Sequence, residues 1–349
     1  MTARQRGRPS NNRLAEERRG RIAELLKGKY EGFGPTLAAE KLRDVEGIAV
    51  SAETLRHMQI GLGLWRPKRR RAKRVFQLRE RRARFGELIQ IDGSLHDWFE
   101  GRGRRCTLIV FIDDATGRLT TLRFAPTETT QAYLEALRGH VLEHGRPLAF
   151  YSDRHGIFRV NAKDAESRDG KTEFGRVVAR LEIASIQALT PQAKGRVERA
   201  NQTLQDRLVK EMRLLGVSSI EAANAVLPDV VSWWNRTFAV EPRDAADAHR
   251  PWTDTPDGLE DRLARREERT LSKALTFRAN GTVYCVRTKG PGRALRGAKV
   301  ELRHRLGGDM TVHYKDRILP VTACRTYPMP DPAEGTPQLG MTRDMPTSR

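Results

Sequence analysis

The chain has 349 residues, with 64 Lys and Arg against 44 Asp and Glu and a formal net charge of +20. This length predicts two or three compact units, and the charge favours a polyanionic partner because neutralising phosphates releases their condensed counterions. Its three cysteines, Cys106, Cys285 and Cys324, exclude a disulfide framework, and the lack of a long apolar run or signal-peptide pattern predicts a soluble, cytoplasmic, nucleoid-associated protein without membrane contact.

The positive charge is unevenly distributed along the chain. Residues 1–85 contain 23 basic and 9 acidic residues, a net +14, whereas residues 86–245 sum to zero and residues 246–349 to +6. Basic parts therefore flank a neutral middle. This distribution is suggestive of chemistry held between arms that bind nucleic acid.

Residues 1–13 form a polar, basic tail. Within it, Arg6-Gly7-Arg8-Pro9 is similar to the short arginine motifs that enter narrow, A·T-rich minor grooves. The alternative is a disordered tail that only keeps the chain in solution. Four residues leave both interpretations open.

Three short helices are predicted within residues 14–65. The apolar spacing around Ile22 indicates the first, a second begins near Thr36, and Ser51 is the expected N-cap of the third. Two helices followed by a capped third are typical of a helix-turn-helix, in which residues 51–59 would be the recognition segment. An ordinary helical bundle has the same periodicity. In the helix-turn-helix interpretation, the base contacts are assigned to Arg56 and Gln59.

Residues 66–85 are predicted to be a basic linker. Its cations crowd together without intervening acids, whereas a solvated charge run usually mixes both signs. This pattern predicts contacts with phosphates and favours the DNA-binding interpretation of the preceding helices. The predicted contacts are Arg66, Lys68, Arg69, Arg70, Arg71, Lys73 and Arg74.

Residues 86–243 are predicted to form an α/β core. Three short apolar runs at 87–92, 107–112 and 119–124 indicate adjacent antiparallel strands. Strands and helices then alternate, which predicts a mixed sheet covered by helices. The later elements are expected at 130–144 (helix), 148–151 (strand), 174–181 (helix), 183–188 (strand) and 193–215 (helix).

The remaining chain is predicted to contain a linker, a small β-barrel domain and a tail. Residues 244–270 are charged and turn-rich, as in a linker. Asn280-Gly281 between two apolar runs is a hairpin signal, and further short basic strands make residues 271–322 a candidate barrel. The Pro-rich residues 323–349 are expected to be disordered.

Three carboxylates carry the chemistry of the predicted core. Asp92 and Asp153 each close a predicted strand, and Glu198 lies near the start of the long helix. Converging carboxylates can hold two Mg²⁺ ions, with Mn²⁺ as a substitute, for phosphodiester chemistry, whereas oxygen ligands disfavour zinc. Any single acid at a strand end can instead be a turn or cap residue.

Other residues compete for a place in this site. Asp113 and Asp114 precede Ala-Thr-Gly, so a turn role is favoured over metal binding. His155 could contact the scissile phosphate or cap its loop. His140 and His144 match the His-x-x-Glu-His pattern of inverted zinc proteases, but they end a helix, where histidine faces the negative end of the dipole, and this interpretation is disfavoured.

The motifs around these acids resemble one protein family. The chain is similar to insertion-sequence transposases with an Asp-Asp-Glu, retroviral-integrase-type core, and most similar to the ISNCY family, over about residues 34–320. The segments that carry the resemblance are 33–40, 90–94, 111–117, 151–155 and, above all, 190–199 (TPQAKGRVER).

The resemblance implies a ribonuclease H-like core in which Asp92, Asp153 and Glu198 bind metal, with Gln192 and Lys194 as DNA contacts. It also implies binding of terminal inverted repeats on double-stranded DNA, metal-dependent cleavage, and strand transfer into target DNA by a homodimer or larger assembly. One departure is the separation of 45 positions between Asp153 and Glu198, which a polar insert at 161–171 extends. The alternatives are a noncatalytic DNA-binding regulator and a structure-specific nuclease on the same core.

Overall fold

The computed structural model describes residues 14–67, 80–153, 155–158, 170–187, 194–290, 292–315 and 317–324. The chain divides into two compact units, Met1–Arg262 and Leu263–Arg349. None of the described helices is long and apolar enough to cross a membrane.

The first unit opens with three helices around a small apolar core. Ser51 caps the third helix as predicted, because its Oγ accepts a hydrogen bond from the Thr54 amide at 3.1 Å. Tyr30, Phe33 and Leu55 are among the buried side chains that join the helices. Each such side chain contributes about 1.5–3 kcal/mol by leaving water. The helices are α1 (Glu16–Lys27), α2 (Pro35–Asp44) and α3 (Ala52–Gly61).

A five-stranded mixed sheet follows, as the apolar runs predicted. Its spatial order is β3-β2-β1-β4-β5. The first three strands are antiparallel neighbours, whereas β4 runs parallel to β1 and β5 parallel to β4. The strands are β1 (Ile89–His96), β2 (Cys106–Asp113), β3 (Leu119–Ala125), β4 (Ala149–Ser152) and β5 (Ala184–Gln187).

Helices cover both faces of this sheet, so β2 is buried along its whole length. On one face, Val110 of β2 belongs to the same apolar cluster as Val197 and Leu227. On the other face, Phe111 stacks on Tyr133 with ring centroids 6.5 Å apart. The helices are α4 (Thr130–His144), α5 (Glu173–Arg180), α6 (Gly195–Leu214), α7 (Ile220–Phe238) and α8 (Pro256–Leu263).

The second unit contains two sheets of short strands around one apolar core. Asn280 and Gly281 form the predicted hairpin turn, both with positive φ. A closed barrel stays a prediction, since the strands pair as β11-β10-β9-β6 and β12-β8-β7. The strands are β6 (Arg265–Thr270), β7 (Thr276–Ala279), β8 (Thr282–Val286), β9 (Lys299–His304), β10 (Met310–Tyr314), β11 (Arg317–Leu319) and β12 (Val321–Cys324).

The linker expected at 244–270 is partly a strand. Residues Arg265–Thr270 form β6, which pairs with β9 over six residues. Ion pairs run diagonally between these two strands, as in the contact of Lys299 Nζ with Glu268 Oε1 at 2.7 Å. Cross-strand charge pairs stabilise a strand without apolar alternation, which is why hydrophobicity did not reveal it.

Candidate active site

The two predicted aspartates lie side by side on neighbouring strands. In the parallel pair of β1 and β4, Ile89 is opposite Phe150 and Gln90 opposite Tyr151. Continuing this register by two residues places Asp92 beside Asp153, just past the end of β4. The expectation that the sheet presents both carboxylates together therefore agrees with the strand register.

A single cation bridges these two carboxylates. The Lys194 Nζ lies 2.6 Å from Asp92 Oδ1 and 3.5 Å from Asp153 Oδ2. The Lys194 side chain is 6% exposed, so this ammonium group is almost entirely withdrawn from water. Lys194 thus occupies the position between two acids, whereas the resemblance assigned it to DNA.

Helix α6 fixes the orientation of Asp92. The amide Nδ2 of Asn201 donates to Asp92 Oδ2 at 2.7 Å, which leaves both carboxylate oxygens held by α6 or the residue before it. Two further bonds fix the helix along β1: the Val197 amide donates to the Gln90 side chain, and Gln205 donates to Ser94 Oγ at 2.9 Å. The position of Asp92 relative to α6 is therefore determined at several points.

The electrostatics of the site are dominated by burial. Desolvation raises the pKa of the Asp92 carboxyl above its ordinary value, Lys194 opposes this shift, and the negative charges of Asp153 and Glu128 reinforce it. Charge in this pocket is therefore costly unless a cation is close by. A group that brings two positive charges fits the donor set better than one ammonium does.

Glu198 lies on α6 near Asn201, four positions after Lys194, which directly precedes the helix. Glu198 and Asn201 are three positions apart, the spacing that places side chains as neighbours on one face of a helix. The Glu198 side chain is exposed, and within the described ranges it has no hydrogen bond or ion pair. Nor do three His, Cys, Asp or Glu of the described residues gather closely enough to hold a metal ion. The structure thus brings Asp92 and Asp153 together but leaves Glu198 apart from them.

The carboxylate pair nevertheless fits a divalent cation. Mg²⁺ prefers carboxylate oxygens, and the Lys194 ammonium marks a point that oxygens of Asp92 and Asp153 both reach. Of the three predicted ligands, the two aspartates reach this point in the structure and Glu198 does not.

The predicted base contacts differ in their exposure. Gln59 is 2% exposed, and its Nε2 donates to the Phe33 carbonyl at 2.9 Å. This corrects the expectation of a base contact, because Gln59 joins α3 to the segment before α2. Arg56 is partly exposed and pairs with Glu53.

The remaining predicted DNA contacts are only partly described. Arg66 is exposed. His155 is exposed, and its backbone N–H donates to Asp153 Oδ1 at 2.9 Å, so the aspartate caps this loop while the imidazole ring stays available to solvent. The residues that lie outside the described ranges are Lys68, Arg69, Arg70, Arg71, Lys73, Arg74 and Gln192.

Asp113 and Asp114 have structural roles, in line with the turn prediction. Asp113 Oδ1 accepts from both the amide and the hydroxyl of Thr116 at 2.7 Å, and burial raises its pKa. Asp114 accepts from Gln90 and from Arg196, each at 2.7 Å. These contacts fix the turn after β2 and the start of α6.

The histidines of the protease-like pattern belong to an aromatic cluster. His140 is fully buried on α4, with its ring centroid 5.2 Å from those of His144 and His249. Burial, followed by the neighbouring His249 and His144, holds the pKa of His140 well below its ordinary value. A neutral, buried ring packed against Phe111 is a core residue.

Sequence reasoning missed three residues around the site. Asn201 was not identified, although its spacing from Lys194 and Glu198 is a helical signal. Glu128 and Tyr133 were also missed, and they have no signal in the sequence because their proximity to Asp92 arises only from the packing of α4.

Two curated proteins match most of this chain. It is 46% identical over 314 residues to "Putative transposase y4bF" of Sinorhizobium fredii (strain NBRC 101917 / NGR234), across 90% of this chain and 68% of that protein. It is 32% identical over 250 residues to "Transposase for insertion sequence IS1202" of Streptococcus pneumoniae, across 70% of this chain and 52% of that protein. No family model matches.

Among solved structures, the chain aligns with two viral integrase assemblies. One is the HTLV-2 integrase catalytic core domain in complex with magnesium in its trimeric form, at 17% identity and a TM-score of 0.31, across 43% of this chain and 85% of that chain. The other is the simian T-cell lymphotropic virus intasome in complex with a PP2A regulatory subunit, at 16% identity and a TM-score of 0.36, across 87% of this chain and 100% of that chain.

Proposed function

This chain belongs to the transposase family, and we propose that it cuts and joins DNA with divalent cations held by Asp92, Asp153 and Glu198. The observation that carries this proposal is the pair of aspartates converging on the Lys194 ammonium. A partly shielded point where two carboxylates meet one positive charge is suited to binding a cation. Membership of the family supplies the reaction class, a polynucleotidyl transfer.

Two Mg²⁺ ions, or Mn²⁺ in their place, would activate the attacking oxygen and stabilise the leaving oxygen when bound here. Asn201 keeps one oxygen of Asp92 fixed, so the carboxylate is oriented before any ligand arrives. Lys194 would give up its contact with the aspartates and carry its charge to a DNA phosphate beside them. Glu198 would complete the ligand set through its side-chain torsions, because it is a neighbour of Asn201 on one side of α6.

We further propose that α1, α2 and α3 form a helix-turn-helix that binds the terminal inverted repeats of the transposon. The net charge of +14 over residues 1–85 supports this, as does Arg56 on the partly exposed side of α3. The helices are tied to the catalytic helix, because Arg207 of α6 pairs with Glu40 of α2 and Arg213 donates to the Glu31 carbonyl at 2.7 Å. DNA bound by α3 would therefore be held in a fixed relation to α6.

The same proposal extends to the core, the second unit and the assembly. A ribonuclease H-like core is consistent with the order β3-β2-β1-β4-β5. We propose that residues 271–322 form a small barrel that helps to hold double-stranded DNA, with His155 and the basic residues of 66–74 as further contacts. Joining two transposon ends to one target would require a homodimer or a larger assembly of the chain.

The test uses the full chain with Mg²⁺, labelled transposon-end DNA and a target plasmid. Asp92→Asn, Asp153→Asn and Glu198→Gln should each reduce cleavage and joining by about two to three orders of magnitude, the usual effect of removing a group that stabilises developing charge. The matched control is Asp206→Asn, which changes an exposed acid on α6 and should leave both steps unchanged.

Three results would contradict the proposal in different ways. Cleavage without joining would indicate a nuclease on the same core. DNA binding without either reaction would indicate a regulator. Loss of activity in Asp206→Asn to the same extent as in Glu198→Gln would show that the effect follows from α6 stability rather than from the site.

A further inference from the structure

A third carboxylate lies against β1 next to Asp92. A Cβ atom added to Gly93 would lie 2.5 Å from Cδ of Glu128, 2.6 Å from its Oε1 and 2.8 Å from its Oε2. These distances are shorter than any real Cβ contact, so the Glu128 carboxylate occupies the space that a side chain at position 93 would fill. Gly93 is thus the residue type that allows this close approach.

Tyr133 fixes the orientation of this carboxylate. Its hydroxyl donates to Glu128 Oε1 at 2.8 Å, and its fully buried ring packs edge-on against Phe158 and Phe174. Burial raises the pKa of Tyr133 above its ordinary value, followed by the charge of Glu128, so the hydroxyl remains a donor at neutral pH. The Tyr133 hydroxyl therefore fixes the position of Glu128 Oε1, whereas Glu128 Oε2 has no hydrogen-bond partner among the described residues.

Negative side chains outnumber positive ones around Asp92. Asp92, Asp153 and Glu128 carry three carboxylates, and the Lys194 ammonium is the cation that contacts two of them. Both Asp153 and Glu128 act on the Asp92 carboxyl, and Asp92 and Asp153 act on the Tyr133 hydroxyl, so these groups share one electrostatic environment. Holding like charges together is unfavourable, and such arrangements concentrate at functional sites.

We propose that Glu128 is a positioning residue of the active site: its carboxylate, oriented by Tyr133 and seated against Gly93, supplies negative charge that strengthens divalent-cation binding at Asp92 and Asp153. This inference rests on the proposed metal-dependent function. It assigns the glycine after Asp92 a specific task, which is to leave room for Glu128. It also gives the hydrogen bond from Tyr133 a role in ion binding rather than only in core packing.

Two variants distinguish the effect of the Glu128 charge from the effect of its position. Glu128→Gln removes the negative charge while keeping the shape and the bond from Tyr133. Gly93→Ala keeps the charge but pushes aside the flexible end of Glu128, which can move without disturbing backbone. The matched control is Glu135→Gln, a glutamate of α4 that pairs with Arg123.

The first readout is Mn²⁺ binding to the full chain without DNA, measured by calorimetry or by the loss of the electron paramagnetic resonance signal of free Mn²⁺. The second is the Mg²⁺ concentration for half-maximal cleavage of transposon-end DNA. We expect Glu128→Gln to weaken Mn²⁺ binding and raise the half-maximal Mg²⁺ concentration about 10- to 100-fold, the usual effect of losing an outer partner of a metal ligand. The rate at saturating Mg²⁺ should stay close to that of the wild type.

Gly93→Ala should shift both readouts in the same direction by a smaller factor, and Glu135→Gln should shift neither. Wild-type Mn²⁺ binding in both Glu128→Gln and Gly93→Ala would overturn the role of Glu128 while leaving the proposed function intact. If the wild-type chain itself neither binds Mn²⁺ nor cleaves DNA, the proposed function fails and this inference fails with it. Should Glu128→Gln unfold, Gly93→Ala and Tyr133→Phe test the role of Glu128 instead, because both release its carboxylate from its position without removing its charge. Both should then weaken Mn²⁺ binding, and wild-type binding in both would overturn the inference.

Discussion

Lys194 is the cation that balances the charges of the two predicted metal-binding aspartates, and its replacement by methionine tests this role. Methionine keeps the length and the apolar stem of the side chain but removes the ammonium. Without the ammonium, Asp92 loses the contact at 2.6 Å and Asp153 loses the contact at 3.5 Å. Two carboxylates then face each other with no positive charge between them.

The expected loss of stability lies between two known limits. Exposed ion pairs contribute at most about 1 kcal/mol, whereas removing one partner of a fully buried pair costs about 3–5 kcal/mol. The side chains of Lys194, Asp92 and Asp153 are 6%, 20% and 48% exposed, so these ion pairs are only partly buried. We expect Lys194→Met to lower the free energy of unfolding by about 2 kcal/mol, which lowers Tm by roughly 4–8 °C.

Although it lowers stability, Lys194→Met should strengthen the binding of a divalent cation. In the wild type, a divalent cation competes with the ammonium for the same carboxylate oxygens. Removing this competitor favours the ion, and a difference of about 1.4 kcal/mol corresponds to tenfold tighter Mn²⁺ binding. The variant should therefore be less stable than the wild type in EDTA and gain more stability from Mn²⁺.

Thermal unfolding in EDTA and in Mn²⁺, with calorimetric titration of Mn²⁺, measures both effects. Lys210→Met is the matched control, because Lys210 is a shielded lysine of α6 whose partner, Asp206, is an exposed acid away from the site. Equal stability of Lys194→Met and wild type in EDTA, together with unchanged Mn²⁺ affinity, would refute the role of Lys194 as the balancing cation.

Four further substitutions should affect stability. The pKa of His140 is lower in the folded state than in the unfolded state, so the neutral ring stabilises the fold fully above pH 6.5. This contribution is lost as the pH falls toward the folded-state pKa. Between pH 7 and pH 5, the free energy of unfolding of His140→Leu, measured in urea, should therefore fall less than that of the wild type. Asp114→Asn removes the buried carboxylate that Arg196 contacts at 2.7 Å and should cost about 3 kcal/mol in the same assay. Gly145→Ala, at φ +91° and 2.7 Å from the Arg250 carbonyl, should cost about 2 kcal/mol, whereas Gly139→Ala, in open space inside α4, should stabilise by about 0.5–1 kcal/mol.

Much of the fold could be predicted because the hydrophobic pattern repeats with the period of each element. The mixed sheet followed from apolar runs of strand length, and the hairpin from Asn280-Gly281. The helix at Ile220–Phe238 was not predicted, although Ala223, Leu227 and Trp234 recur at helical spacing, since Pro228 interrupts the pattern. Strand β6 was missed for another reason, because charged residues paired across strands leave no apolar signal.

The site was less predictable, because it depends on contacts between distant segments. The adjacency of Asp92 and Asp153 follows from strand ends, which a sequence can reveal. The burial of Gln59 had a local signal, since it follows the buried Leu55 by one helical turn. The contacts of Lys194 and Asn201 depend instead on how α6 packs on β1, and that of Glu128 on how α4 packs on β2 and β3. No pattern within one element encodes that packing.

The way α6 is fixed on β1 predicts how the proposed site would close around an ion. The Val197 amide and the Gln205 side chain bond to Gln90 and Ser94, on either side of Asp92, so sliding α6 along the strand would break both bonds. Losing one buried and one partly buried hydrogen bond costs about 2–6 kcal/mol, whereas changing the torsions of an exposed glutamate costs far less. We therefore expect Glu198 to reach the ion by side-chain rotation alone, with Lys194 turning outward. Crystal structures with and without Mn²⁺ would measure this, and a shift of α6 by a full residue along β1 would show that the reasoning is wrong.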